Sequence, residues 1–288
     1  MNAILAIIAA VVVGTWNGNW FPSGRAEHRA NPEVEAATVS AAAKMLASGL
    51  ARIDPDGTNE VILCLNEIRG PIEADSLVMR IGRPGLRVVS VSRYRRRDRF
   101  DQQQDVIATT LPVAEAHWSK WRNAGADTPP RGYAFAAVVL DPATTANVYA
   151  VHLKSDFGAK DPAIVSENAT KRLLAVSQLV EQEKPKRGKR PGRPVIVVGD
   201  MNADRWQTQT PDVRLFASLE KAGFVNLLDG LSPSERCTHP SPKFGDRTFD
   251  YVFCRGVESA ARPLTVRNNG LSDHYALFTE VRQPERTP

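Results

Sequence analysis

Val195-Ile196-Val197-Val198-Gly199-Asp200-Met201-Asn202 runs from wholly apolar to polar with nothing in between. Four apolar, mostly β-branched residues bounded by Pro194 and Gly199 predict a fully buried strand. A carboxylate cannot follow such a strand into the core without a partner, because an unpaired buried charge is costly or is neutralised. Asp200 and Asn202 therefore belong at the open end of a sheet, beside a cation or a polar ligand.

The same pattern recurs on either side. Residues 11–15 predict a core strand leading into Trp16-Asn17, and residues 61–65 a second buried strand ending in Asn66 and Glu67. Residues 133–140 and 148–154 predict a hairpin around Asp141-Pro142-Ala143, with His152 on its second arm. Residues 86–91 and 106–109 predict further strands. So do 248–254, which carry Asp250, and 275–281, just after Asp273-His274. Asn31-Pro32-Glu33 is a helix start, with Gly49 as terminator. A second helix is expected from a Ser166 cap to about Glu183, and a third from Thr210-Pro211-Asp212 to Gly223. Residues 112–130 show no period and read as a loop with a helical turn. Many strands, several in hairpin succession, with few helices between them predict a mixed-sheet α/β architecture rather than a doubly wound parallel sheet.

A chain of 288 residues can bury a sizeable core as one large α/β domain or as two small ones. Hydrophobic content of 42% and charged content of 24% exclude a disordered chain and a multi-span membrane protein. The net charge of +5 suits an anionic partner such as nucleic acid, phospholipid or a phosphate ester. Basic side chains gather at Arg93, Arg95, Arg96, Arg97 and Arg99 and again over residues 184–193. Cys64, Cys237 and Cys254 have no zinc-ligand spacing, and a Cys237–Cys254 pairing is open on sequence grounds. Residues 4–13 are continuously apolar, too short for a membrane span and similar to a signal-peptide core. Residues 1–10 are thus a signal remnant or a strand extension, and 11–288 a single domain. An extracellular or periplasmic location follows from the first of these, a cytoplasmic one from the second.

Polar residues that end or interrupt apolar strands form one set: Asn17, Glu67, His152, Asp200, Asn202, Asp250, Asp273 and His274. Carboxylates and amides are hard oxygen ligands that suit Mg²⁺, with Mn²⁺ or Ca²⁺ as alternatives. The histidines can move protons near neutral pH. A divalent cation, carboxylates and imidazoles together equip a site for hydrolysis of a phosphate ester.

The blocks Thr15-Trp16-Asn17, Cys64-Leu65-Asn66-Glu67, Val151-His152-Leu153-Lys154, Gly199-Asp200-Met201-Asn202, Phe249-Asp250-Tyr251 and Ser272-Asp273-His274 resemble those of the endonuclease/exonuclease/phosphatase superfamily, in its order and over nearly the whole chain. The resemblance implies a four-layer α/β/β/α sandwich with a metal site at one end. It gives Glu67 as principal metal ligand with Asn17 beside it, and Asp273 as a contact to that metal or to a second cation. Asp200 and Asn202 would position the attacking water and the phosphate, and His274, oriented by Asp250, would be the general base. His152 would bond a phosphate oxygen or protonate the leaving group, and Arg131 falls where some relatives hold phosphate.

Asn66 departs from the glutamine usual before this glutamate. Some members pair the first histidine with an acid from mid-chain; Asp101 and Asp105 are candidates by position. The resemblance implies a monomeric phosphodiesterase acting on DNA or RNA, with sphingomyelin-like or inositol-phosphate substrates as the alternative and a non-catalytic binding module as a third reading. His28, His117 and His239 match no block and read as surface or loop residues. Trp118, Trp121 and Trp206 fall in loop-like segments, where an aromatic anchors the loop or stacks a base.

Overall fold

The computed structural model describes residues 10–24, 31–96, 99–100, 103–184, 192–207, 210–243 and 245–284. Residues 1–9, His28, Arg97, Asp101 and most of the basic stretch 184–193 lie outside these, and so do the expectations placed on them.

The first half of the chain runs β1 (Val11–Phe21), α1 (Pro32–Ile53), β2 (Glu60–Ile68), α2 (Pro71–Ile81) and β3 (Arg87–Val91). A short ribbon follows, β4 (Arg95–Arg96) with β5 (Arg99–Phe100), then β6 (Gln104–Thr109), β7 (Val113–Lys120) and the hairpin β8 (Gly132–Asp141) and β9 (Thr144–His152). The second half runs α3 (Pro162–Gln182), β10 (Val195–Asp200), α4 (Val213–Lys221), β11 (Val225–Asn226), α5 (Pro233–Arg236), β12 (Asp250–Arg255), β13 (Glu258–Val266) and β14 (Ala276–Arg282).

These strands make two six-stranded mixed sheets, ordered β13-β14-β1-β2-β6-β3 and β11-β12-β10-β9-β8-β7. Each has one parallel pair near its middle, β1 with β2 and β9 with β10. The sheets lie face to face. Alternation along β1 and β2 shows how: Val11, Val13, Ile62 and Cys64 join the core shared with Ala136, Val148 and Ile196 of the other sheet. Val12, Trp16, Val61, Leu63 and Leu65 face the opposite way, under α1 and α2. Residues of α3 and α4 (Val176, Leu179, Phe216, Leu219) cover the outer side of the second sheet. With both faces covered, the central strands read as unbroken apolar runs. The expected α/β/β/α sandwich is the fold.

Several expected boundaries move. α1 passes through Gly49 and ends at Ile53, because Gly49 lies under Phe278, where a Cβ would approach the ring to 2.2 Å. α3 starts one turn before Ser166: Asp161 is the cap, its side chain accepting from the Ala163 amide at 2.8 Å, and Pro162 is the first helical residue. The supposed loop at 112–130 holds the edge strand β7, followed by a single helical turn at Gly125–Asp127. Edge strand β7 is exposed over most of its length, so no apolar alternation marks it. Residues 71–81, 233–236 and 258–266, given no element by the pattern above, form α2, α5 and β13. All three cysteines are free and buried, so Cys237 and Cys254 do not pair. Among the described residues no helix is long and apolar enough to cross a membrane.

Candidate active site

One end of the sandwich gathers the polar residues that terminate β1, β2, β9, β10 and β12. Strict alternation would turn Glu67 to the helix side, with Leu63 and Leu65. Instead its backbone is left-handed (φ 59°), the β2–β6 register shifts between Leu65 and Ile68, and its carboxylate swings to the sheet end. There Oε1 accepts from the Asn17 side-chain amide at 3.3 Å and Oε2 from the Trp20 amide at 3.1 Å. Asn202 (φ 50°) and Arg131 (φ 65°) are left-handed too. Each such non-glycine residue costs about 1 kcal/mol or more, and three of them around one site mark a place where the fold gives up stability to aim side chains.

Asp200 is the hub. Its Oδ2 accepts from Asn17 at 2.9 Å and from the Asn202 side chain at 3.0 Å, and Oδ1 accepts from the Asn202 amide at 2.7 Å. Nε2 of His152 stands 3.6 Å from both Asp200 Oδ2 and Glu67 Oε1. Burial drives Asp200 up to about 7, with His274 pulling it down and Asp250 pushing it further up. Burial, followed by the positive charges of Arg131, His274 and Lys154, holds His152 well below the ordinary histidine range, so it is neutral at pH 7.

On the other side of Asp200, Nδ1 of His274 donates to Asp250 Oδ2 at 2.7 Å, and Nε2 lies 3.9 Å from Asp200 Oδ2. Burial disfavours the imidazolium, but Asp250 and Asp200 outweigh it and lift His274 to about 10. The pair is held rigidly. Thr238 Oγ1 accepts from the Asp250 amide at 3.0 Å, while Ser272 Oγ accepts from the His274 amide at 3.0 Å and donates to the Asn17 carbonyl at 2.7 Å. Trp16 Nε1 donates to the His274 carbonyl at 3.2 Å, as does Asn268.

Seven of the expected residues therefore meet: Asn17, Glu67, His152, Asp200, Asn202, Asp250 and His274. Asp273 stands at the edge of this set: its side chain is 54% exposed, 3.7 Å from Nε2 of His239, and its carboxylate lies within 4.8 Å of a ring nitrogen of His274. Arg131 spends its guanidinium on the protein, donating to the carbonyls of His152 (3.2 Å) and Leu153 (2.8 Å) and to Gln103 (3.0 Å). It clamps the end of β9 that carries His152. Asp105 is not the partner of His152, whose Nδ1 has none among the described residues. It bonds Asn66 and Tyr94 instead.

Trp206 stacks on Tyr251 (6.1 Å, 13°) under the Arg236 guanidinium, and Trp121 packs on Tyr133, so both anchor their segments. Trp118 lies edge-on to Tyr94. His239, expected at the surface, sits edge-on to His274 with ring centroids 4.9 Å apart. Nothing in Thr238-His239-Pro240 announces this; a lone histidine in an aperiodic stretch carries no signal of its own.

The donor set fits a hard divalent cation. Two buried carboxylates, Glu67 and Asp200, converge on one asparagine amide and a neutral histidine, with no lysine or arginine bonded to either among the described residues.

Fold and site together define a hydrolase of phosphoester bonds. The sequence model of the endonuclease/exonuclease/phosphatase family matches residues 14–274, and the chain belongs to that family. A search of curated protein sequences returned no match. Among solved structures, the chain is similar to an endonuclease/exonuclease/phosphatase from Beutenbergia cavernae (12% identity, 96% of this chain and 72% of that one, TM-score 0.65). It is also similar to sphingomyelinase C from Streptomyces griseocarneus (18% identity, 94% and 99%, TM-score 0.58). The human Nocturnin catalytic domain is a third (16% identity, 96% and 95%, TM-score 0.60). Family members are generally dependent on a divalent metal.

Proposed function

We propose that the protein is a Mg²⁺-dependent phosphodiesterase that cleaves nucleic acid. One observation carries the chemistry: the Asp250–His274 pair and the Glu67–Asn17 pair face each other across Asp200. Glu67, Asn17 and Asp200 would hold the cation. Bound there, it would supply positive charge to the phosphate and offset the carboxylate field that keeps a proton on His274. Asp200 and His274 are close enough to share one water, the carboxylate orienting it and Nε2 taking its proton while Asp250 stabilises the resulting imidazolium. His152, neutral and beside both carboxylates, is a hydrogen-bond donor to a phosphate oxygen or the leaving oxygen. Asn202 keeps Asp200 in place through both its amide groups, and Arg131 holds the strand end behind His152.

The net charge of +5 and the exposed Arg93 and Arg95 favour a polyanion as substrate. A second reading has its own observation: Phe157, on the loop that follows His152, is 79% exposed and would suit a phospholipid surface. A panel of supercoiled plasmid, single-stranded DNA, RNA, sphingomyelin and inositol phosphates, with Mg²⁺ and with EDTA, tests both. Nicked plasmid or degraded RNA at low salt supports the nuclease, and cleavage of sphingomyelin alone supports the second reading. No turnover of any substrate overturns both.

A further inference from the structure

We infer that His239, Asp273 and His274 form a second cation site, suited to a borderline transition metal such as Zn²⁺, and that its occupation shuts the enzyme off. The inhibitory half rests on the reading of His274 as the proton acceptor; the binding half does not.

One donor atom from each of the three residues lies within 4.8 Å of the others. Nδ1 of His274 is committed to Asp250, so Nε2 is its atom open to a metal. This carboxylate–imidazole arrangement is the support that metal-ligating histidines need, since it fixes the tautomer and raises ligand basicity. His239 turns Nε2 towards Asp273 at 3.7 Å. Its Nδ1 has no partner among the described residues, so the ring can carry its proton there and turn the Nε2 lone pair to an ion in place of the contact with Asp273. The ring is held against Phe249 (centroids 5.0 Å apart) and its backbone is paired with Arg247 in both directions, at 2.9 and 3.0 Å. A tetrahedral ion with bonds of ~2.0–2.2 Å requires donors somewhat closer together. Asp273 and His239 are partly exposed and can close that gap by small side-chain rotations.

The two candidate sites differ in kind. Glu67, Asp200 and Asn17 offer only oxygen, which suits Mg²⁺. Two imidazoles and one carboxylate, open to solvent on the His239 side, suit Zn²⁺, Co²⁺ or Ni²⁺. An ion on Nε2 of His274 removes the lone pair that would accept the proton from water, and its binding releases any proton that Nε2 carried. His239 lies outside the six family-like blocks, whereas Asp273 and His274 belong to one of them.

The test titrates Co²⁺, and separately Zn²⁺, into the metal-stripped full chain without substrate, reading Co²⁺ absorbance and calorimetric heat. Wild type and Glu67→Gln are each expected to bind, besides any ion at the oxygen site of the wild type, one ion with the visible bands of nitrogen and oxygen ligation. His239→Ala and the size-conserving His239→Gln, each checked for folding by circular dichroism, are expected to bind at least tenfold more weakly. In the hydrolysis assay at saturating Mg²⁺, Zn²⁺ inhibition should need at least tenfold more metal in either His239 variant. Undiminished binding by both His239 variants, or binding lost in Glu67→Gln, overturns the site. Normal binding without inhibition overturns only the shut-off, and absence of any hydrolysis overturns the proposed function while the binding result still stands.

Discussion

Asn66 and Asp105 are joined by a 2.7 Å hydrogen bond in the space between the two sheets, directly beneath the site. The carboxylate accepts from the Asn66 side-chain nitrogen, so Oδ1 of Asn66 must point the other way, where it accepts from the Asp200 backbone amide at 3.1 Å. One short amide thereby ties β2 and β6 of the first sheet to the end of β10 in the second. The departure from glutamine before Glu67 is thus structural: the side chain belongs to the intersheet face, in step with Ile62 and Cys64. Asn66→Ala leaves a buried carboxylate and a buried N–H without that partner, each worth about 1–3 kcal/mol. Urea denaturation should show the midpoint falling with an unchanged slope. An unchanged midpoint would remove the bridge from the account.

Asp105 itself should give stability an unusual pH dependence. Burial pushes its carboxyl from 3.8 up to about 7, with the bonds from Asn66 and Tyr94 and the charge of Arg131 only partly opposing this. Its folded-state value lies above its unfolded one, so the folded protein binds the extra proton in that window. Its contribution is therefore greatest below 3.8 and is lost as pH rises towards 7, with a slope approaching ~1.4 kcal/mol per pH unit. Asp105→Asn should flatten the stability–pH curve there relative to wild type. Curves that stay parallel would contradict the assignment.

Gly199 is where backbone freedom is required. Its φ is +132°, and a Cβ would sit 2.2 Å from the Val151 carbonyl oxygen and 2.8 Å from Asn66 Oδ1. Gly199→Ala must push β10 away from β9 and displace the bridge together with Asp200. A loss of about 2 kcal/mol or more is expected in thermal or urea unfolding, together with a fall in hydrolysis; tolerance of alanine at full stability would contradict the packing.

Asp250→Asn isolates the orienting role of the carboxylate. The amide can keep the 2.7 Å contact with His274 but offers no charge and permits the wrong tautomer, and in an analogous serine hydrolase the same change costs ~10⁴ in kcat. A kcat loss on the order of 10³-fold with KM little changed is expected on a soluble diester. A change confined to KM would place Asp250 in binding instead.

Much of this was legible because buried strands cannot hide polar groups. Asn17, Glu67, Asp200 and Asp250 each break an apolar run, and every one lies at the same sheet end. Runs such as residues 195–198 read as buried strands and their succession as a mixed-sheet α/β architecture, while the four-layer sandwich came from the resemblance of the six blocks. Other features left no local trace. Edge strand β7 is exposed and so lacks alternation, and Gly49 looks like a terminator until Phe278, far away in sequence, is seen against it. His239 reaches His274, and Asn66 reaches Asp105, only through pairing between distant segments. Arg131 was placed near the site by position, but its bonds to the His152 and Leu153 carbonyls depend on a left-handed backbone that a sequence does not display.

Glu67 and the His274–Asp250 pair are proposed to make a metal-dependent phosphodiesterase site around Asp200. This assignment is tested most directly by following release of nitrophenol from bis(p-nitrophenyl) phosphate by wild type, Glu67→Gln and His274→Ala, with Mg²⁺, after EDTA, and after Mg²⁺ is restored. The expected result is turnover that EDTA abolishes and Mg²⁺ restores, lowered on the order of 10²-fold or more in each variant. Turnover indifferent to EDTA, or kept at the wild-type rate by His274→Ala, would contradict it.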